Sequence, residues 1–256
     1  MNTSEKRHQE LIVEQFSSQA VPFANVPGHM SALETLLAMA GPHCDDEVLD
    51  VACGPGLVAC EIARHVRLVE GIDITPAMIG EARKRQRGFG LENLSWQIGA
   101  ADPLPYADSR FSLVITRYSF HHFIDARRVL DEMIRVCRPG GRVVIADVVL
   151  PESKAGMFDS MERMRDPSHT QALRAGMLET WFREAGLVQC RSAHYSVDVE
   201  LEAQLRASFP GPGDDGKLRE MIRADAGFDV LGIDARQVDG SIWFSYPITV
   251  LAATKP

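Results

Sequence analysis

A chain of 256 residues, 45% hydrophobic and 24% charged, can bury one sizeable core, so a single embellished domain accounts for its length. Its net charge of −8 runs against the basic surplus that a nucleic-acid backbone demands, so no nucleic-acid partner is expected. No apolar run approaches the ~20 residues of a membrane helix, and Met1–Arg7 leads into no secretory apolar stretch. Five scattered cysteines (Cys44, Cys53, Cys60, Cys137 and Cys190) make no metal-spaced pair; the expectation is a cytoplasmic protein without metal or membrane insertion.

From residue 46 onward strand-like and helix-like stretches alternate, the pattern of a parallel sheet with crossover helices. The first strand is predicted over residues 47–51, followed by a glycine turn and a helix near 57–65. A second strand over 68–72 runs through Asp73 into a helix near 77–87, with Thr75 as N-cap and Pro76 in the first turn, where its missing N–H does no harm. The basic run Arg83-Lys84-Arg85-Gln86-Arg87 reads as the wet face and last turn of that helix. Strands follow over 94–98 and 111–116, then a helix near 126–137. Arg138-Pro139-Gly140-Gly141 turns into a fifth, almost wholly apolar strand over 142–149, as befits burial on both faces.

Beyond Pro151 the pattern changes. Residues 153–172 read as polar, methionine-bearing helix interrupted at Arg165-Asp166-Pro167-Ser168-His169. A helix near 178–185 closes at Gly186, and strands are predicted over 188–199 and 242–253. Pro247 cannot donate to a ladder, so good pairing is expected only from Ile248. Residues 200–240, acidic and rich in Gly and Asp, read as short helical pieces.

Gly54-Pro55-Gly56-Leu57-Val58-Ala59 fits the G-x-G-x-x-G/A turn that brings a ligand against backbone N–H groups at a helix start. Two details oppose a diphosphate there, and with it a nicotinamide oxidoreductase. Asp50, four residues ahead, would repel phosphate, and Pro55 removes an N–H from the loop. Both details suit S-adenosylmethionine, which carries an ammonium, a sulfonium and a carboxylate. Asp50 can attract the cationic end, backbone N–H groups can face the carboxylate, and Asp73 can accept bonds from ribose hydroxyls, with a strand-end cap for Asp50 and a helix N-terminal capper for Asp73 as the plainer roles.

Val48-Leu49-Asp50-Val51-Ala52-Cys53-Gly54-Pro55-Gly56 resembles the first motif of class I methyltransferases, and Gly71-Ile72-Asp73-Ile74-Thr75-Pro76-Ala77-Met78 their second-strand motif. Residues 104–111 and Arg138-Pro139-Gly140-Gly141 are similar to the stretches entering their fourth and fifth strands. Four motifs in order, over residues 46–150, are closest in look to the UbiE/MenG-like, type-11 group; Phe16–Ala20 and His29 resemble its N-terminal segment, and Arg165–His169 a bacterial subset. The resemblance implies an α/β, doubly wound seven-stranded sheet of order 3-2-1-4-5-7-6, last strand antiparallel, with helical lid segments. It implies S-adenosylmethionine as cofactor, held by Asp50, Ala52, Gly54, Gly56, Asp73, Ile74, Met78, Ala101, Asp102 and Arg117. Asp73 would take the ribose, Ile74 and Met78 the adenine faces. Family members often place an acid or amide at the position of Ala100 for the adenine amine; here Asp102 or the N–H of Ala101 would replace it.

Thr116-Arg117-Tyr118-Ser119-Phe120-His121-His122-Phe123 follows the fourth strand, whose carboxyl end faces the same crevice. His121 or His122 could take a proton from the methyl acceptor, the two being level candidates, with helix capping or packing on Phe120 and Phe123 as the plainer role. Arg117 could meet the cofactor through its backbone and an anionic substrate through its side chain. Segments 1–30 (a cap) and 153–256 (lid and last strands) are expected to fold over a 31–152 cofactor core. Candidate lining residues are Phe16, Phe23, Met157, Met161, Met164, His169 and Phe209, and plain core packing competes with that role at each. An enclosed apolar pocket and an acidic chain favour a small-molecule substrate. The alternatives are a methyltransferase acting on a macromolecule and a non-catalytic binder of the cofactor.

Overall fold

The computed structural model describes residues 3–24 and 33–256, with the side chains of residues 23 and 24 outside the description. Its strands are β1 (Glu47–Val51), β2 (Leu68–Asp73), β3 (Leu94–Ile98), β4 (Phe111–Arg117), β5 (Cys137–Leu150), β6 (Leu173–Arg174), β7 (Val188–Glu200), β8 (Arg236–Val238) and β9 (Ser241–Thr254). The helices are α1 (Thr3–Ala24), α2 (Leu33–Ala40), α3 (Leu57–Ile62), α4 (Pro76–Phe89), α5 (Ala126–Val136), α6 (Glu152–Arg165), α7 (Met177–Glu184), α8 (Leu201–Ser208) and α9 (Asp214–Asp225), plus a 3-10 turn at Phe120–His122.

The main path of the sheet is β3-β2-β1-β4-β5-β9-β7, with short β6 and β8 added to β5 and β9. Allowing for those two extra strands, this is the anticipated 3-2-1-4-5-7-6 order. β9 runs antiparallel to both neighbours and the first five strands are parallel. Side chains alternate between two cores, one on each face: Val144 and Ala146 of β5 pack with Leu36, Ile62 and Phe158, whereas Val143 and Ile145 pack with Leu130, Met133 and Phe182. Helix α5 shows why these residues coil as they do. Ala126, Val129, Leu130, Met133 and Val136 recur on one buried stripe, and Asp125 caps the start by accepting from the N–H of Arg128 at 3.1 Å.

Three local expectations change. Good pairing of β9 does not wait for Ile248: its ladder with β7 runs through Pro247, opposite Ser196, back to Trp243. Only the β5 ladder begins at Ile248; one absent donor leaves the pairs on either side intact. Strand β5 starts at Cys137, because the Arg138–Gly141 turn is taken up as an irregularity against β4. Thr75 occupies the N-cap of α4, but its hydroxyl makes no capping bond; Pro76 stands at the first turn as anticipated.

Candidate active site

The carboxyl ends of β1, β2 and β4 open into one cavity of about 210 Å³. Asp50, Ala52, Gly54, Asp73, Ile74, Met78, Ala101, Asp102 and Arg117 line it, so nine of the ten proposed cofactor residues meet there. This is the crevice that an open α/β sheet reserves for ligands. Residues Glu5, His8, Gln9, Ile12 and Phe16 of α1 cover its outer side.

Gly56 is the tenth, and it is not among the lining residues. A Cβ there would lie 2.7 Å from Cη2 of Trp96 and 3.0 Å from Cβ of Ala82, and its φ is +75°. The residue therefore has a packing reason to be glycine: α3, α4 and β3 close up over a bare backbone. Trp96, fixed by its indole N–H on Gln86 at 2.7 Å, supplies that constraint and is not among the residues lining this cavity.

Asp73 organises the turn. One carboxylate oxygen accepts from the N–H of Gly54 and the other from the N–H of Thr75, both at 2.8 Å. Burial raises its pKa and those two N–H bonds oppose the rise. Ala52 beside it holds φ +53°, a conformation that costs a non-glycine residue about 1 to 3 kcal/mol. Asp50 is only 1% exposed, and its Oδ2 has no hydrogen-bond partner. Burial, reinforced by the charge of Asp73, pushes its pKa up to about 8. A buried carboxylate oxygen without a donor, at the wall of a cavity, is a site prepared for a cation.

Asp102 lines the cavity, and one oxygen of its carboxylate pairs with Arg128 at 2.8 Å. The N–H of Ala101 remains the simpler candidate beside the cavity. The Arg117 side chain lies against the Tyr118 ring at 4.3 Å and donates to its hydroxyl at 3.1 Å.

A second, smaller cavity of about 80 Å³ adjoins the first, and Phe16, Tyr118 and His122 line both. His121 lines only the second. The two histidines are held differently. Asp147, buried in β5, accepts from Nδ1 of His121 at 2.6 Å; its carboxylate also accepts from the N–H groups of Phe120 and Val148, both at 2.7 Å. Burial alone would lower the pKa of His121, but the Asp147 carboxylate outweighs it and raises the value. His122 instead donates from Nδ1 to the Ser168 carbonyl at 3.1 Å. Burial, with the neighbouring His121 ring 4.2 Å away, holds its pKa well below the ordinary value. So the adjacent residues differ in kind: His121 is backed by a carboxylate and His122 by a backbone carbonyl.

The one sequence clue to Asp147 is a lone carboxylate inside an otherwise apolar stretch of strand. Glu162, Arg165, Asp166 and Tyr246 of the second cavity were likewise missed as site residues. Among the suggested lining residues whose side chains are described, only Phe16 lines these cavities. Met161 and His169 are buried in the core, Met164 packs against it, and Met157 and Phe209 are 46% and 47% exposed. Phe23's side chain and His29 lie outside the described residues. No described helix is long and apolar enough to cross a membrane.

Known proteins match this geometry. The methyltransferase-domain family profile matches residues 42–196. The chain is 32% identical over 151 residues to YcgJ of Bacillus subtilis, named an uncharacterized methyltransferase, covering 58% of each protein. The crystal structure of YcgJ superposes with a TM-score of 0.80 at 22% identity, covering 88% of this chain and 98% of that one. The ubiquinone/menaquinone biosynthesis C-methyltransferase UbiE of Desulfotalea psychrophila is 38% identical over 118 residues, 45% of this chain and 47% of UbiE. The 27-O-demethylrifamycin SV methyltransferase of Amycolatopsis mediterranei is 30% identical over 158 residues, 60% of this chain and 58% of that enzyme. The matched stretches thus span about half to three-fifths of these curated relatives. With the profile, the strand order and the relatives in agreement, the chain belongs to the class I S-adenosylmethionine-dependent methyltransferases, in their UbiE-like group.

Proposed function

We propose that this protein transfers a methyl group from S-adenosylmethionine to a small-molecule acceptor, with the cofactor in the larger cavity and the acceptor in the smaller. The observation that carries this reading is the partnerless Oδ2 of buried Asp50, set at the wall of a cavity that adjoins a second one bearing Glu162, Arg165 and Asp166. Asp50 suits the cofactor's ammonium, the Gly54 loop its carboxylate, Asp73 the ribose and the Ile74–Met78 wall the adenine; Ala52, Ala101 and Arg117 complete that cavity. The 31–152 core then serves the cofactor, the 153–256 segment closes the acceptor side, and α1, within the 1–30 cap, borders both cavities. The names of the UbiE and rifamycin relatives, which act on small molecules, support the acceptor class.

When bound, S-adenosylmethionine supplies an electrophilic methyl on a sulfonium. The protein's part is to hold the acceptor in line, shield it from water and remove a proton where the nucleophile carries one. His121 suits the last task. Asp147 fixes its proton on Nδ1, leaves Nε2 as the accepting nitrogen, and stabilises the imidazolium that results. His122, held neutral, keeps a second positive charge away from that ring. Arg128 and Asp102 brace the mouth of the larger cavity.

Incubating the protein with methyl-labelled cofactor and a bacterial extract tests this reading. Label should enter the small-molecule filtrate. Label confined to RNA or protein would favour a macromolecular acceptor, and none in either would favour a non-catalytic binder.

A further inference from the structure

The Arg165–His169 run, unusual in the sequence, proves to be the frame of the second cavity. Arg165 grips Glu162 with Nε at 3.0 and 2.9 Å from the two carboxylate oxygens and a terminal nitrogen at 2.6 Å, and its other nitrogen meets Oγ of Ser208 at 3.1 Å. Tyr246 donates to Glu162 at 3.0 Å. Asp166 takes the N–H and hydroxyl of Ser168 at 2.9 and 2.6 Å and the amide of Gln19, from α1, at 3.2 Å. Thr170 secures the histidine turn from behind, donating from N and Oγ1 to the His121 carbonyl at 2.8 Å each.

The charges around this space are unequal. Glu162, Asp166 and Asp147 contribute three carboxylates, against the guanidinium of Arg165 and whatever charge His121 carries. The guanidinium is spent: its fork faces the Glu162 carboxylate, which is only 3% exposed. A phosphate or carboxylate entering here would lose its water and, among the described lining residues, find no unshared Lys or Arg. A protonated amine would be welcomed by the excess of carboxylates, yet its nitrogen then has no lone pair for a methyl group. What remains is a neutral group that can both donate and accept.

Building on the methyl-transfer reading above, we infer that the second cavity is the acceptor site and that it selects an uncharged alcohol or phenol, with Glu162, Arg165 and Tyr246 as its specificity-determining residues. In the transfer the acceptor oxygen bonds to the methyl carbon as the carbon–sulfur bond breaks toward sulfur, and the hydroxyl proton passes to Nε2 of His121. Glu162 repels anions directly and also occupies the one guanidinium that could attract them. Removing its charge should therefore change the preference as well as lower the rate.

The test divides the small-molecule filtrate by ion exchange and supplies labelled cofactor to each part. Label is expected in products of the unretained, neutral fraction. Label drawn from an anionic or cationic fraction overturns the charge selection but leaves methyl transfer standing, whereas no label anywhere removes the underlying reading. A second measurement needs no turnover. With S-adenosylhomocysteine bound, Glu162→Gln should bind phenyl phosphate at least tenfold more tightly than the native protein, while its affinity for S-adenosylhomocysteine stays within twofold. Equal affinity for phenyl phosphate dismisses Glu162 as the selector. Should that variant fail to fold, Tyr246→Phe, which removes a single hydroxyl, should cut transfer to the neutral fraction at least fivefold; an unchanged rate would count equally against the assignment.

Discussion

The larger and the smaller cavity share three lining residues, but they are built by opposite means. The first is made at the ends of consecutive strands, from Asp50 to Asp73, largely by backbone: Gly54 and Thr75 offer N–H groups to one carboxylate, and a single carboxylate is left open. The second is made of side chains brought from distant parts of the chain. Gln19 reaches Asp166 and the Ser208 carbonyl across 147 and 189 residues, and Tyr246 reaches Glu162 across 84. A site of backbone and short loops can grip one invariable ligand. A site of long-range side-chain pairs can change its ligand by changing a few residues, with the strand ends untouched.

That contrast can be broken first at the histidines. His121→Ala should lower turnover about 10² to 10⁴-fold, the usual worth of a general base, with S-adenosylhomocysteine affinity within twofold. His122→Ala should cost far less; equal losses would erase the distinction drawn from Asp147. Next comes the glycine turn. Gly56→Ala should destabilise the fold by about 2 to 4 kcal/mol, through its clash with Trp96 and its positive φ. A denaturant melt showing no change would return Gly56 to the ligand. Asp73→Ala should weaken S-adenosylhomocysteine at least tenfold, since bonds to a charged acceptor contribute about 1.5 to 3 kcal/mol each; calorimetry showing an unchanged dissociation constant removes its assignment.

The smallest effect is in pH. His121 must be unprotonated to act, and Asp147 raises its pKa, so kcat/KM should climb with pH through a midpoint above 6.5. Asp147→Asn takes away that support, and the midpoint should move to lower pH while the maximum falls. A midpoint that stays put, or moves up, would separate Asp147 from the proton transfer.

Legibility in the sequence follows the same division. The bounds of β1 and β3 match their predicted ranges, because Val48, Leu49 and Val51 in one and the alternating Leu94, Trp96 and Ile98 in the other are followed by glycine-bearing turns. Asp50, Gly54 and Asp73 stand at strand ends, where spacing alone places them in the crevice. Gly56 looked like its neighbour Gly54 but answers to Trp96, forty residues on, a contact that spacing cannot reveal. The pairing of Asp102 with Arg128 is likewise a contact that spacing cannot reveal. Glu162, Arg165 and Asp166 read as an interrupted polar helix, and nothing local says that Tyr246 and Gln19 will close around them. The His121–His122 pair was visible, but the difference between them depends on Asp147 and Ser168, carried by other segments.

The most direct measurement is calorimetry of S-adenosylhomocysteine binding near pH 7 in buffers of differing ionisation heat. Asp50 is mostly protonated before binding if its pKa is about 8, and must lose that proton to meet the ligand's ammonium. About one proton should therefore be released per molecule bound, affinity should strengthen as pH rises toward 8, and Asp50→Asn should abolish both the release and the pH slope. Binding without proton release in the native protein, and with equal strength in Asp50→Asn, would contradict the assignment of Asp50 as the cation's partner.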